Sequence, residues 1–211
     1  MNKLSRSFYK RDAIQVAKDL LGKLLVHKVG NMELAGRIVE VEAYMGAHDK
    51  AAHSYNNRRT SRTEVMFGPG GYAYVYFIYG MYYCMNVVTG PEGEGQAVLI
   101  RALEPVKGLD QMADNRIGKL WDILTKKQRI QLTDGPGKLC NALGITKENY
   151  GDDLTGDRLF ICEDTEIRQF DMGSSKRINI DYAEEARDFE WRFYIKGNPY
   201  VSKMKIVTKL S

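Results

Sequence analysis

Four runs between Leu34 and Leu103 alternate with a period of two, and this commits the middle of the chain to β-structure. In Leu34–Tyr44, Arg37, Val39, Val41 and Ala43 face one way, and Ile38, Glu40, Glu42 and Tyr44 the other. Tyr72–Ile78 puts Tyr72, Tyr74, Tyr76 and Ile78 on one face. Gly80 interrupts the run, and Tyr82–Val88 reads as the returning strand of a hairpin, with Tyr82, Cys84, Asn86 and Val88 together. After the turn GPEGEG, Ala97–Leu103 aligns Ala97, Leu99, Arg101 and Leu103.

The flanks supply further elements. Lys23–Val29 reads as a strand, with Gly30-Asn31 turning it into the next. Leu159–Cys162, Arg177–Ile180 and Trp191–Ile195 also read as strands. Helical spacing marks Asp12–Leu21, ended by Gly22, and Met112–Leu124. Asp134–Gly144 has Pro136 near a helix start and Gly144 past its end. No internal repeat, low-complexity tract or linker divides the chain. The expected architecture is α+β: a single domain over residues 1–211, built on a curved, largely antiparallel β-sheet with flanking helices.

Composition narrows the function classes. Hydrophobic residues at 44% and charged residues at 27% suit a soluble globular protein. The formal net charge of +4 permits a nucleic-acid partner without demanding one. Cys84, Cys140 and Cys162 are widely spaced and form no CxxC, which argues against a disulfide framework or zinc ribbon and for a reducing compartment. The sequence holds no apolar run of membrane-spanning length, and MNKLSRSFYKRD has no signal-peptide core. The expectation is a cytoplasmic protein without membrane partners, nucleoid-associated if bacterial, with a monomer as the default.

Chemistry concentrates between Arg37 and Arg101. A glutamate at a strand end beside aromatics can hold and activate a water, which makes Glu42 a candidate general base. Spacing alone favours the plainer alternative, a glutamate on a solvated strand face, and it leaves Glu40 equally available. Arg101, inside an apolar run, calls for an acidic partner or a ligand. The long polar loop 45–71 carries His48, Asp49 and His53, which with Glu42 raise a metal site; no HExxH or comparable spacing supports one, so no metal and no cofactor are expected. Tyr44, Tyr76 and Tyr79 suit an aromatic slot, although a core with satisfied hydroxyls is the commoner place for any single tyrosine. The helix start near Asp134, with Lys138, offers a phosphate seat or simply a capped helix. Nucleophile elbows, Walker loops and dinucleotide fingerprints are absent.

Taken together, RIVEVEAY, DKAAHS, YVYFIYGMYYCMN, VLIRALEP and DGPGKLCNALGI resemble the alkyladenine (methylpurine, 3-methyladenine) DNA glycosylase family, in order and nearly in spacing from about Ala13 to Val201. The resemblance implies a monofunctional base-excision repair enzyme. Its partner would be double-stranded DNA containing damaged purines, alkylated, deaminated or etheno. It would flip the damaged base out and hydrolyse its N-glycosidic bond. By the same resemblance the general base falls on Glu42 and the water-placing arginine on Arg101. The base pocket falls on Tyr44, His53, Tyr76 and Asn86, with Asn86 excluding normal guanine. The wedge falls on Tyr79, with Met81 and Tyr82 pressing into the minor groove. On this reading the tyrosine rings would favour a cationic alkylated purine by about 0.5–2 kcal/mol per contact.

Two readings from other classes compete. One is a non-catalytic nucleic-acid-binding module whose tyrosine-rich strands form a base-stacking platform. The other is a metal-dependent hydrolase using Glu40, Glu42, Asp49 and His53.

Overall fold

One strand, β2 (Met32–Tyr44), organises the sheet. Along one edge it pairs with β5 (Gln96–Lys107). Its other edge is shared: β1 (Leu24–Val29) takes the first half through Leu24↔Arg37, and β8 (Arg192–Ile195) takes the second half from Glu40 to Glu42. The sheet therefore forks on β2. The computed structural model describes residues 2–166 and 169–202, and all the strand pairs within them are antiparallel. The order is β3 (Ala73–Ile78), β4 (Tyr82–Thr89), β5, β2, β1, β6 (Leu159–Cys162), with β7 (Met172–Ser175) pairing β8 on the branch. This is the α+β architecture expected from the four alternating runs.

Two register shifts in the β2–β5 ladder, at Ile38/Glu40 and Glu40/Val41, leave Val39 and Arg101 without an opposite residue. Such bulges bend a strand and re-aim side chains. Strict alternation fails here as a result. Ile38 and Leu103, expected beside the glutamates and Arg101, lie in the main core with Val39 and Ala102.

That core lies between one face of the sheet and two short helices. Helix α2 (Ala13–Leu20) is started by Asp12, whose carboxylate accepts from the Ile14 and Gln15 amides, and it buries Ala13, Val16, Ala17 and Leu20. Helix α5 (Pro136–Leu143) has Pro136 at its start and left-handed Gly144 at its end, and buries Leu139, Cys140, Ala142 and Leu143. In the same buried cluster, α2 packs on β2 and β5, and α5 on β4 and β5. Helix α1 is the single turn Arg6–Tyr9, and α4 (Lys126–Ile130) carries a Thr125/Gln128 capping box.

Two expected elements differ. The helix predicted over Met112–Leu124 is α3 (Leu109–Ile117); Gly118, left-handed at φ 63°, ends it, and a separate 3₁₀ turn covers Trp121–Ile123. The strand predicted at Arg177–Ile180 is irregular, because Asn179 adopts φ 60°, and the neighbouring strand is β7 instead. Among the described residues no helix is long and apolar enough to cross a membrane.

The opposite face of the sheet is covered by loops, and loop 45–71 is more ordered than its length suggests. It folds into 3₁₀ turns at Gly46–His48, Tyr55–Asn57 and Glu64–Phe67, and it buries Ala51, Ser54, Met66 and Phe67. Gly46 sets its entry. Its φ is +74°, and a Cβ there would meet the Glu94 carbonyl oxygen at 2.1 Å. Gly46→Ala is expected to lower the unfolding free energy by more than about 1 kcal/mol in urea titration, with an unchanged denaturant slope.

Candidate active site

The register builds the floor of a cleft. Tyr74 lies opposite Asn86, Asn86 opposite Leu99, Leu99 opposite Glu42, and Glu42 opposite Arg192, one row across five strands. Beside it, Tyr76 pairs with Cys84, and Tyr44 with Ala97. Side chains from these rows line a cleft of about 490 Å³, within the usual range for a small-ligand site. The loop residues Ala51, His53, Ile178, Asn179 and Ile180 form its far wall.

Both glutamates of β2 are wholly buried, so neither sits on a solvated strand face. A buried carboxylate must be paired and hydrogen-bonded, and the two solve this differently. Glu40 Oε1 accepts from Arg101 Nε at 2.9 Å and Arg192 Nε at 2.7 Å, and its Oε2 accepts from the Ser202 amide at 2.7 Å. Burial alone would raise the Glu40 pKa; the two guanidinium charges and the amide outweigh it and hold the carboxyl below its ordinary range. Glu42 is bound to the cleft wall instead. Its Oε2 accepts from Tyr44 Oη at 2.9 Å, and its Oε1 accepts from the Ile178 amide at 2.7 Å, with Arg101 Nη1 3.2 Å away. Arg101, re-aimed by the bulge, thus bridges both carboxylates and itself lines the cleft.

The aromatic wall is neutral and held in place. Burial first, and the neighbouring Glu42 second, raise the Tyr44 pKa well above the usual range, so its hydroxyl stays a donor. His53 Nδ1 is 2.8 Å from Tyr74 Oη, and its ring meets Tyr76 edge-on at 4.7 Å. Burial, then Arg62 and Arg58, push the His53 pKa down to about 4. The rings also already carry cations: Arg177 stands 4.8 Å from the Tyr44 centroid, and Arg62 4.9 Å from that of Tyr76. This reduces the extra attraction that those rings can offer a cationic ligand. Asn86 donates through Nδ2 to the Tyr74 carbonyl at 3.1 Å and lines the cleft.

At the rim, the β3–β4 hairpin turns through Tyr79 and Gly80, with φ of 54° and 69°. A left-handed tyrosine is strained, and this one is 76% exposed, with Met81 at 65% beside it. Tyr79 and Tyr82 line the cleft mouth, as do Gly135 to Lys138 at the start of α5. Lys138 is paired there with Asp134 at 2.7 Å, so the proposed phosphate seat already holds an internal carboxylate.

Of the expected set, Tyr44, His53, Tyr76, Tyr79, Tyr82, Asn86 and Arg101 line one cleft; Met81 stands exposed outside it, and Glu42 lies behind the wall formed by Tyr44, Arg101 and Ile178. The imagined metal group does not form: Asp49 binds Arg177 through both oxygens, and His48 is exposed. Arg177, Ile178 and Arg192 were missed. All come from the last fifth of the chain, more than 125 residues from Asp49, Glu42 and Glu40, to which they respectively donate, and no local pattern marks them.

Such a cleft, with a buried carboxylate at its back and an exposed tyrosine on a strained hairpin at its mouth, fits an enzyme that handles a planar group. The sequence pattern described as "Methylpurine-DNA glycosylase (MPG)" matches residues 7–199. A protein of Alkaliphilus oremlandii (strain OhILAs) named "Putative 3-methyladenine DNA glycosylase" is 60% identical over 201 residues, covering 95% of this chain and 99% of its own. Proteins of the same name from Clostridium acetobutylicum and Bacillus cereus (strain AH187) are 56% and 57% identical, over 96% and 93% of this chain and 98% and 97% of their own. The chain belongs to the methylpurine-DNA glycosylase family. It is accordingly a hydrolase acting on N-glycosyl bonds.

Two outcomes follow from the site's electrostatics. Glu40→Gln takes from Arg192 its carboxylate partner and from Arg101 one of its two, and is expected to cost about 3–5 kcal/mol of stability, measured by urea unfolding. His53 binds its proton near pH 4 when folded and near 6.5 when unfolded. The unfolded chain therefore takes up protons first as pH falls, and stability drops between pH 6.5 and 4. Thermal midpoints at stepped pH should fall less steeply through that window in His53→Gln than in the parent.

Proposed function

We propose that this enzyme removes damaged purines from double-stranded DNA, with Glu42 as the general base. The observation that carries the reading is the Glu42 carboxylate, wholly buried yet hydrogen-bonded to Tyr44 in the wall of a cleft sized for a nucleoside. A carboxylate offers about four acceptor positions. Tyr44 and the Ile178 amide fill two of them, and the Arg101 guanidinium stands 3.2 Å from Oε1, all three being residues that line the cleft. A position left over is where an attacking water would be held, with Arg101 helping to place it.

The reaction balances as a hydrolysis. The water oxygen bonds to C1′ of the deoxyribose as the bond from C1′ to the purine nitrogen breaks. The purine leaves with the bonding electron pair, and the water's proton passes to Glu42. A purine alkylated on a ring nitrogen departs neutral, because it entered as a cation. The base must first leave the stack, at a cost of a few kcal/mol. Tyr79, exposed at the hairpin tip with Met81 and Tyr82 beside it, is suited to fill the space the base vacates. Tyr44, His53 and Tyr76 would enclose the extruded purine. Asn86, at the cleft floor, would crowd the 2-amino group of normal guanine. A neutral His53 adds no repulsion against a cationic base.

A single domain would suffice for all of this, acting as a monomer on duplex DNA. Family membership favours it over a non-catalytic stacking module. Full engagement of Asp49 by Arg177 tells against the metal-hydrolase reading.

Glu42→Gln keeps the shape of the wall and removes the base. It is expected to bind a duplex carrying hypoxanthine or 3-methyladenine within about threefold of the parent, and to lose at least about 100-fold in single-turnover excision, in line with general-base contributions. Near-normal excision by this variant would refute the assignment.

A further inference from the structure

Asp49 and Arg177 form the most completely buried ion pair among the described residues, with neither side chain exposed at all, and the hydrolytic scheme gives them no task. The contact is two-pronged. Arg177 Nη1 donates to Asp49 Oδ2 at 2.5 Å, and Nη2 donates to Oδ1 at 2.9 Å. The same two nitrogens also donate to the carbonyls of Ala43 at 2.9 Å and Ala186 at 3.1 Å. Asp49 in turn accepts from the amides of Met45 and Ala51 at 3.1 and 3.0 Å. The pair therefore staples the loop that leaves β2 to the loop that leaves β7, across a gap of 128 residues in sequence.

Its position relative to Glu42 is specific. The amide next to Arg177 in the chain, that of Ile178, is the donor to Glu42 Oε1. The guanidinium carbon of Arg177 lies 4.8 Å from the centroid of the Tyr44 ring, whose hydroxyl is the donor to Glu42 Oε2. Trp191 holds the guanidinium too, 5.0 Å away. One arginine thus adjoins one donor to each oxygen of the carboxylate, one as its chain neighbour and one through a cation–ring contact.

We infer that the Asp49–Arg177 pair is a positioning clasp for Glu42, fixing the two groups that orient its carboxylate for water activation. This rests on Glu42 being the general base. Neither clasp residue touches the substrate. Lysine cannot substitute for the arginine, because a point ammonium lacks both the fork and the flat face. A small error in the orientation of a catalytic group is enough to cost about 100-fold in rate.

The test uses the full chain carrying Arg177→Lys, Asp49→Asn or Glu42→Gln, assayed at a temperature where melting curves show each variant folded. Three quantities are read on one hypoxanthine-containing duplex: affinity, single-turnover excision rate, and base extrusion reported by a neighbouring 2-aminopurine. Arg177→Lys is expected to lose at least about tenfold in excision while affinity and extrusion stay within about twofold. Asp49→Asn, the gentler change, should show the same split and stands in if Arg177→Lys does not fold. A pair that merely packs the wall would loosen the slot, so excision, affinity and extrusion would fall together; that result overturns the clasp. So does excision within twofold of the parent in both clasp variants, provided Glu42→Gln is inactive, and the general-base assignment then survives. Excision retained by Glu42→Gln but lost by Arg177→Lys removes both ideas, because the arginine would then act elsewhere.

Discussion

Two carboxylates on one strand, two residues apart and both out of reach of solvent, set the terms for this fold. Charges in a protein interior are tolerated only with partners in good geometry. Glu40 and Glu42 draw theirs from β5, from β8, from the loop before β8 and from Ser202 beyond it. The fork of the sheet makes this possible. Because the pairing of β1 with β2 ends at Leu24↔Arg37, the later half of β2 has a free edge, and β8 fills it with Arg192 directly opposite Glu42. The bulge on β5 supplies the other half of the solution by turning Arg101 toward both acids.

The same arrangement gives the two carboxylates different surroundings. Glu40 is saturated by two guanidinium groups and an amide, and it stays a counter-ion. Glu42 shares its donors with the lining of the cleft, so a group bound there meets a carboxylate that is already oriented. Orientation of this kind is established during folding and needs no rearrangement at the moment of reaction. The aromatic slot is likewise set in advance, by cross-strand pairing of Tyr76 with Cys84 and by the His53–Tyr74 hydrogen bond.

Much of this was legible in the chain because a strand has a two-residue period. The alternation of Tyr74, Tyr76 and Ile78, and of Tyr82, Cys84 and Asn86, placed all six on the cleft face without further information. Glycines marked the ends of α2 and α5, although Gly118 cut short a helix that apolar spacing had extended to Leu124. The different surroundings of Glu40 and Glu42 were not readable from spacing, since they depend on which arginines arrive from more than 60 residues away. Arg177 was hidden for the same reason. It looked like part of a strand, and its meaning depends on Asp49 and Tyr44, which only the folded topology brings to it. Bulges, too, leave no mark in a binary pattern, so Ile38 and Leu103 were assigned the wrong face.

The shared edge of β2 also has a temporal side. The donors to Glu40 and Glu42 at Ile178, Arg192 and Ser202 lie 136, 152 and 162 residues downstream. A ribosome adding about 5–20 residues per second would finish the two acids many seconds before their last companions emerge. Until then β2 would hold two carboxylates that are cheaper to leave hydrated than to enclose. The emerging polypeptide would therefore keep its cleft open and inert, and the closing step in its maturation would be the docking of β8.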